Sequence, residues 1–447
     1  SVVAFHNAYA LFVVPSWNLI KGEADPVSII FSSDQIPGHE PNKPILLKGG
    51  TLHPISSNPI LSDLLIKDGK IKSIGQNLVY NKSEVIDITG MHVYPGLISP
   101  GTTLGLVEIN AVRASEDHSE VGQYNPNVRS ERAYNPDSEL IPITRSNGVL
   151  VAHVTPKSGR ISGSSAVMRL DGWTWEDCII KAPAGIHINW PWMAIANHKW
   201  EKRSASKQKE HIQKQLMDLN EFFDNSRNYM NAKNKLDKAV DAKFESMIPL
   251  FQGDIPAYIH ANRIEQIESA IYFCKKHNIK MVLVGGADSW MITDILRENE
   301  IAVIYEHPLS TPMRRGEAYD IKYTVPNKLY EAGVKFCISA SSGTFEAPHQ
   351  RSLPFEAAMA ISYGLPLNEG IKSITLSTAE ILGVDKYIGS LEKGKNATLF
   401  ISDGDPLLFE TKILAAYIDG KAVDMNDRHK MLRDKYVEKY KQLDIVK

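Results

Sequence analysis

The stretch from His92 to Ile109 limits what this chain can fold into more than any other. An apolar run, His92-Val93-Tyr94, breaks at Pro95-Gly96, restarts as Leu97-Ile98, and opens into Ser99-Pro100-Gly101-Thr102-Thr103. That pattern reads as a buried strand delivering a polar loop to one end of a barrel or sheet. Further on, strand-like apolar runs alternate with helical stretches, which points to βα units and a parallel barrel. Strands are expected at Val149–Val154, Ile186–Asn189, Ala257–His260, Lys280–Val284, Ala302–Glu306 and Lys335–Ser339. One barrel strand stays unplaced, and Ala166–Lys181 reads as an inserted hairpin turning at Asp171-Gly172. Residues 199–248 read as a helical insertion, with Ile212, Leu216, Leu219 and Phe223 on one face.

Short strands precede the barrel. Ile45–Gly50 is one, and Asp63–Ile66 and Ile71–Gly75 flank Lys67-Asp68-Gly69-Lys70, where Asp-Gly between alternating apolar runs signals a tight hairpin. A related pattern returns late, in Gly389-Ser390-Leu391-Glu392-Lys393-Gly394-Lys395-Asn396-Ala397-Thr398, then in Ser402–Leu407 and Ile418–Lys421. Residues 426–447 read as a basic amphipathic docking helix with Met431, Tyr436 and Tyr440 inward.

Together these motifs resemble the amidohydrolase superfamily, imidazolonepropionase-like branch. The hairpin resembles the family's small leading β-sandwich, Gly389–Thr398 resembles its "GSLxxGKxAD" closing motif, and Ile374–Gly383 resembles the helix after its last strand. The resemblance runs over residues 44–425. It implies an α/β fold: a TIM-type (β/α)8 barrel over residues 96–385, with a β-sandwich split between 44–95 and 386–425. An N-terminal extension, 1–43, and the C-terminal helix, 426–447, lie outside that frame. The implied activity is hydrolysis of non-peptide carbon–nitrogen bonds by a bound divalent metal.

The family's metal ligands are the test, because barrel active sites form at the C-terminal ends of the strands. After the first strand the family places an Asp and a His-x-His pair; here the matching positions are Ser99, Gly101, Thr102 and Thr103. Neutral hydroxyls are poor ligands for zinc-like ions. His260 matches a family histidine, with Asn262 and Arg263 just beyond it. Gly285 stands at a second histidine position, and Ser341 at the position of the metal-binding Asp. A metal lowers the pKa of water from about 15.7 to about 7. That is roughly 12 kcal/mol of nucleophile activation, which Thr102, Thr103, Gly285 and Ser341 have no evident means to supply.

Two outcomes follow. In the first, the chain has lost the usual activity, needs no cofactor, and serves as a binding or partner subunit. It would contact a small molecule through His260, Asn262, Arg263, Thr102 and Thr103. In the second, His260 joins His153, His187 and His307, which also end strands, in a relocated zinc or other divalent site acting on cyclic amides or dipeptides. His260 as general base and Ser341 as nucleophile are the candidate catalytic groups. No base is evident beside Ser341. Lys181 could mimic a carboxylated bridging lysine; an ordinary lysine is the simpler reading.

With 50 Lys+Arg against 52 Asp+Glu, the charge balance argues against a nucleic-acid partner. The three cysteines form no CxxC pair, sit in apolar runs, and read as buried thiols. No apolar run reaches the roughly 20 residues needed to span a bilayer. The start at Ser1 fits either a removed leader or a shortened chain, and an exported location is the expectation. Association as a homo-oligomer, or as a heterodimer with a paralogue, is expected by analogy with family relatives.

Overall fold

The structure, a computed structural model, describes residues 36–197, 200–232 and 240–445. Most of the N-terminal extension, part of the helical insertion and the last two residues therefore lie outside the described residues.

The chain opens on a mixed sheet made of β1 (Ile45–Leu52), β2 (Ile60–Lys67), β3 (Lys70–Gly75), β4 (Glu84–Asp87) and β5 (His92–Pro95). β2 and β3 meet at Lys67 and Lys70, with Asp68 at φ 52° and Gly69 at φ 73°. Two successive positive-φ residues match the right-handed twist of the flanking strands, which is why Asp-Gly is found there. β1 divides along one edge. Its first half pairs with β4 and its second half with β5, after an irregularity between Leu47 and Gly50.

The second sheet starts two residues after β5 and contains β6 (Leu97–Thr102), β7 (Val149–Val154), β8 (Ile161–Arg169), β9 (Ile179–Asn189), β10 (Ala257–Ala261), β11 (Met281–Gly285), β12 (Ala302–Glu306) and β13 (Phe336–Ser339). β13 comes back alongside β6, so the eight strands nearly close into a barrel. The missing strand is β8. It runs antiparallel to both β7 and β9, whereas the other pairs are parallel. The expected hairpin at Asp171-Gly172 is therefore a piece of the barrel wall and not an appendage to it.

Across the barrel interior, Ile98, Val151, Val167, Tyr258, Val282, Ile304 and Cys337 form one apolar layer, closed below by Ala379, Leu382 and Ile388. All three cysteines are buried and free. The late strands β14 (Leu399–Ser402), β15 (Ile413–Ile418) and β16 (Lys421–Val423) return to the first sheet, β14 pairing with β5. The two distant segments share one core of Leu47, Leu64, Ile66, Val93, Leu399 and Tyr417.

The insertion holds helices Ala205–Ala232 and Ala242–Gln252. Leu219 and Phe223 are buried as the periodicity requires, and Phe223 meets Phe273 edge-on at 4.8 Å. Asp241 caps the second helix by accepting from Lys243 N at 2.9 Å.

The C-terminal helix, Arg428–Gln442, corrects an expectation. It buries no residue, and Met431, Tyr436 and Tyr440 are 60, 49 and 42% exposed. Its spacing is amphipathic, but no surface of the described residues covers the apolar side. No helix of the described residues is long and apolar enough to cross a membrane.

Candidate functional site

Above the apolar layer, the next inward residues on β7, β10, β12 and β13 are polar, while β11 continues with apolar Val284. Side chains two residues apart along a strand share a face, so His153 follows Val151, His260 follows Tyr258, Glu306 follows Ile304 and Ser339 follows Cys337. The 103–139 segment crosses this end of the barrel. It is tied to the β7–β8 turn by Lys157 N donating to His118 O and Arg160 N to Gln123 O, each at 2.7 Å.

Three of the four histidines proposed as metal ligands come together. His153, His187 and Tyr258 pack ring on ring, with centroids 4.8 to 5.5 Å apart, and His187 also meets His260 at 5.2 Å. Their nitrogens are turned to protein partners. His153 lies 2.8 Å from Pro100 O through Nδ1 and 2.7 Å from Ser165 Oγ through Nε2. A carbonyl only accepts, so Nδ1 carries the proton and Nε2 accepts from the serine. His187 Nδ1 and His260 Nε2 bond each other at 2.9 Å.

Burial holds all three rings neutral. It pushes His153 to about 4, and it pushes His187 and His260 well below the usual histidine range, with the Lys157 charge adding to the effect. Two polar atoms of this cluster have no partner: His187 Nε2 and Tyr258 OH, both on fully buried side chains. Ser339 Oγ, on the opposite wall, is a third.

His307 does not join the cluster. Its positive φ of 57° turns it outward, and Nδ1 bonds the buried carboxylate of Glu356 at 3.0 Å, which raises its pKa. Thr102 and Thr103 are fully buried; Thr102 Oγ1 accepts from Leu104 N at 3.0 Å, closing the strand end. Asn262 is exposed and accepts from Ala287 N at 3.4 Å. Arg263 reaches Glu265 and lies over the Trp192 ring at 5.5 Å. Gly285 makes a turn at φ 94°, where a Cβ would stand 2.6 Å from Asn262 Oδ1. Lys181 lies at the opposite end of the barrel, donating to Leu382 O at 2.9 Å beside a cavity of about 710 Å³.

Ser341 sits in the left-handed region at φ 80°, a conformation unusual for a residue with a side chain. Its Oγ accepts weakly from Gly343 N at 3.4 Å. The turn places the next residue, Ser342, into the mouth instead. Lys157 Nζ donates to Ser342 Oγ at 2.7 Å, and Ser342 donates to Glu306 through both its hydroxyl and its backbone N–H, the latter at 3.0 Å.

Sequence reasoning missed Lys157 and Ser342. Lys157 lies three residues past the end of β7, so a count of polar residues beyond each apolar run that extended past His153 would have included it. Ser342 carries no signal apart from adjacency to Ser341, since only the backbone twist at Ser341 decides which serine faces inward.

A divalent metal does not fit this donor set. His153 has spent both nitrogens, the other two imidazoles bond each other, and the first-strand ligand positions are closed hydroxyls. Among the described residues no three His, Cys, Asp or Glu side chains converge as ligands. Geometry of that kind is what separates a binding site from a mere cluster of histidines.

Known proteins place the whole arrangement. The Amidohydrolase family model matches residues 257–426. Amidohydrolase tasK of Hapsidospora irregularis is 20% identical over 400 residues, covering 81% of this chain and 40% of that protein. Imidazolonepropionase of Picrophilus torridus is 26% identical over 174 residues, covering 37% of this chain and 42% of that protein. The chain thus spans less than half the length of these curated relatives. The crystal structure of an amidohydrolase from Thermotoga maritima MSB8 superposes with a TM-score of 0.75 and 27% identity, covering 85% of this chain and 99% of that one. The near-closed barrel, the sheet shared by both ends of the chain, the matched His260 and these likenesses agree: residues 257–426 carry an Amidohydrolase family domain, within a fold that matches an amidohydrolase over most of the chain.

Proposed function

We propose that this amidohydrolase-family protein does not run the family's usual metal-dependent hydrolysis and acts as a ligand-binding protein or as the partner subunit of an assembly. The observation that supports it is the bond between His187 and His260. It occupies one nitrogen of each ring and turns the two imidazoles toward each other, at a mouth already lacking the first-strand histidines. Without an ion, roughly 12 kcal/mol of water activation has no source, and the neutral rings supply no comparable charge.

A second reading, an active hydrolase of cyclic amides or dipeptides with a relocated metal, has one observation in its favour. Three imidazoles are held neutral in one layer, and neutral imidazole is the form that binds metal. Metal analysis of the purified full chain separates the two. The expected result is no stoichiometric zinc, manganese or iron, and no change in metal content in His260→Ala. Stoichiometric metal that disappears with His260→Ala would establish the relocated site.

A further inference from the structure

Lys157 carries a charge that no carboxylate answers directly. Its ammonium reaches Glu306 only through the Ser342 hydroxyl, and no acidic oxygen among the described residues lies within 4.0 Å of it. An ammonium has three N–H donors; one is spent on Ser342. A half-buried charge is costly unless it is paired and hydrogen-bonded. His187, whose ring feels the Lys157 charge, and Ser339, paired across the strands with Glu306, hold Nε2 and Oγ buried without partners. The His187–His260 bond can hold its shared proton on His260, and His187 then presents an N–H on Nε2.

We propose that the barrel mouth binds a small monocarboxylate, with Lys157 as its charged contact and His187 Nε2 and Ser339 Oγ as neutral hydrogen-bonding partners. This rests on the reading that no metal holds the mouth: Lys157 supplies the positive charge that an ion supplies in metal-bearing relatives. Glu306 sets the limit on the ligand. Its carboxylate is held by the Ser342 hydroxyl and amide, and it leaves the site with one positive and one negative charge. A dianion such as a phosphate monoester would place its second charge against Glu306.

The test uses the full chain, stripped with EDTA and checked for metal, in calorimetric titrations at constant ionic strength. The probes are acetate, benzoate and N-acetylglycine, each against its neutral amide, with phenyl phosphate as the dianion. At least one carboxylate should bind roughly tenfold tighter than its amide, the scale of one charge-assisted hydrogen bond. Phenyl phosphate should bind more weakly than benzoate. Lys157→Gln should abolish the preference and Lys157→Arg should restore part of it.

A wild-type measurement guards against a misfolded variant. Bound carboxylate should protect Lys157, relative to exposed Lys202 and Lys435, from acetylation by an N-hydroxysuccinimide ester, read by peptide mass spectrometry. Equal binding of acids and amides, no binding by any probe, tighter binding of phenyl phosphate, or unprotected Lys157 at saturating ligand would each overturn the proposal. So would a folded Lys157→Gln that keeps the preference. Those results on metal-free protein leave the non-metal reading standing; stoichiometric metal lost with His260→Ala removes that reading as well.

Discussion

His187 Nδ1 and His260 Nε2 lie 2.9 Å apart, and one proton serves the line between them. Both rings, and His153 beside them, are uncharged because burial in the barrel outweighs the gain from protonation. That cost is linked to folding. An unfolded histidine titrates near 6.5, whereas folded His153 titrates at about 4 and the other two well below 6.5. Between those values the unfolded chain binds more protons, so stability rises with pH and is lost on acidification through the window from about 6.5 to about 4. His153 alone accounts for roughly 3 kcal/mol over that window. Urea midpoints measured from pH 7 to pH 4.5 should fall steadily, and His153→Gln, with one ring fewer, should show a shallower slope. An unchanged slope would assign the pH dependence to other groups.

Gly185 is where Tyr258 reaches the histidines. A Cβ at Gly185 would stand 2.4 Å from Tyr258 Cε2 and 2.7 Å from the backbone oxygen of Pro256. The carbonyl belongs to a packed strand entry and cannot swing aside, so the tyrosine ring must move. Overpacking of this kind costs about 1–3 kcal/mol. Gly185→Ala should lower the melting temperature and alter the near-UV circular dichroism of the packed tyrosine. Gly316→Ala, where a Cβ meets no described atom within 4 Å, should leave both unchanged. A stable Gly185→Ala with a native spectrum would show that Tyr258 does not hold the site.

What could be read before folding, and what could not, divides along the range of the interactions. Asp68-Gly69 specified a hairpin because turn chemistry is local, and Val149–Val154 and Ala302–Glu306 were legible because a buried strand is a continuous apolar run. β8 escaped because its direction is decided by its neighbours: Gly163, Ser164 and Ser165 give it no apolar run, and nothing in Ile161–Arg169 says antiparallel. At the mouth, strand-end histidines could be named but not their company. His153, His187 and His260 meet across three strands, while His307 is withdrawn by Glu356, 49 residues away in sequence. The Met431, Tyr436 and Tyr440 spacing described a helix correctly, yet periodicity does not reveal whether anything lies opposite it.

A buried ion pair ties the barrel to the segments flanking it. Arg145 donates to Asp171 Oδ1 at 3.1 Å, to Leu170 O at 3.0 Å and to Asp424 O at 3.2 Å, while Asp171 Oδ2 accepts from Gly38 N at 2.9 Å. Both side chains are nearly inaccessible, at 3 and 6% exposure. Burial pushes the Asp171 carboxyl up and Arg145 pulls it back. Removing one partner strands the other, so Asp171→Ala should cost about 3–5 kcal/mol, and the pair Arg145→Met with Asp171→Leu should cost clearly less. Urea denaturation of the single and double variants measures this. A single-variant loss below about 1 kcal/mol, the scale of an exposed pair, would mean that water reaches the site.

The C-terminal helix offers the opposite case. Asp427 caps it by accepting from His429 N at 2.7 Å, and Arg351 bonds His429 at 2.7 Å, but none of Arg428–Gln442 is buried. A segment that covers no core contributes little to unfolding free energy, because stability tracks apolar surface removed from water. A chain ending at Asp427 should keep the barrel's melting temperature to within about 2 °C, since surface changes amount to about half a kcal/mol or less. Differential scanning calorimetry of the full and shortened chains at equal concentration decides it. A drop of more than about 5 °C would show that the apolar stripe of Leu432, Tyr436, Tyr440 and Leu443 is covered in solution, because only burial of that stripe could supply the lost stability.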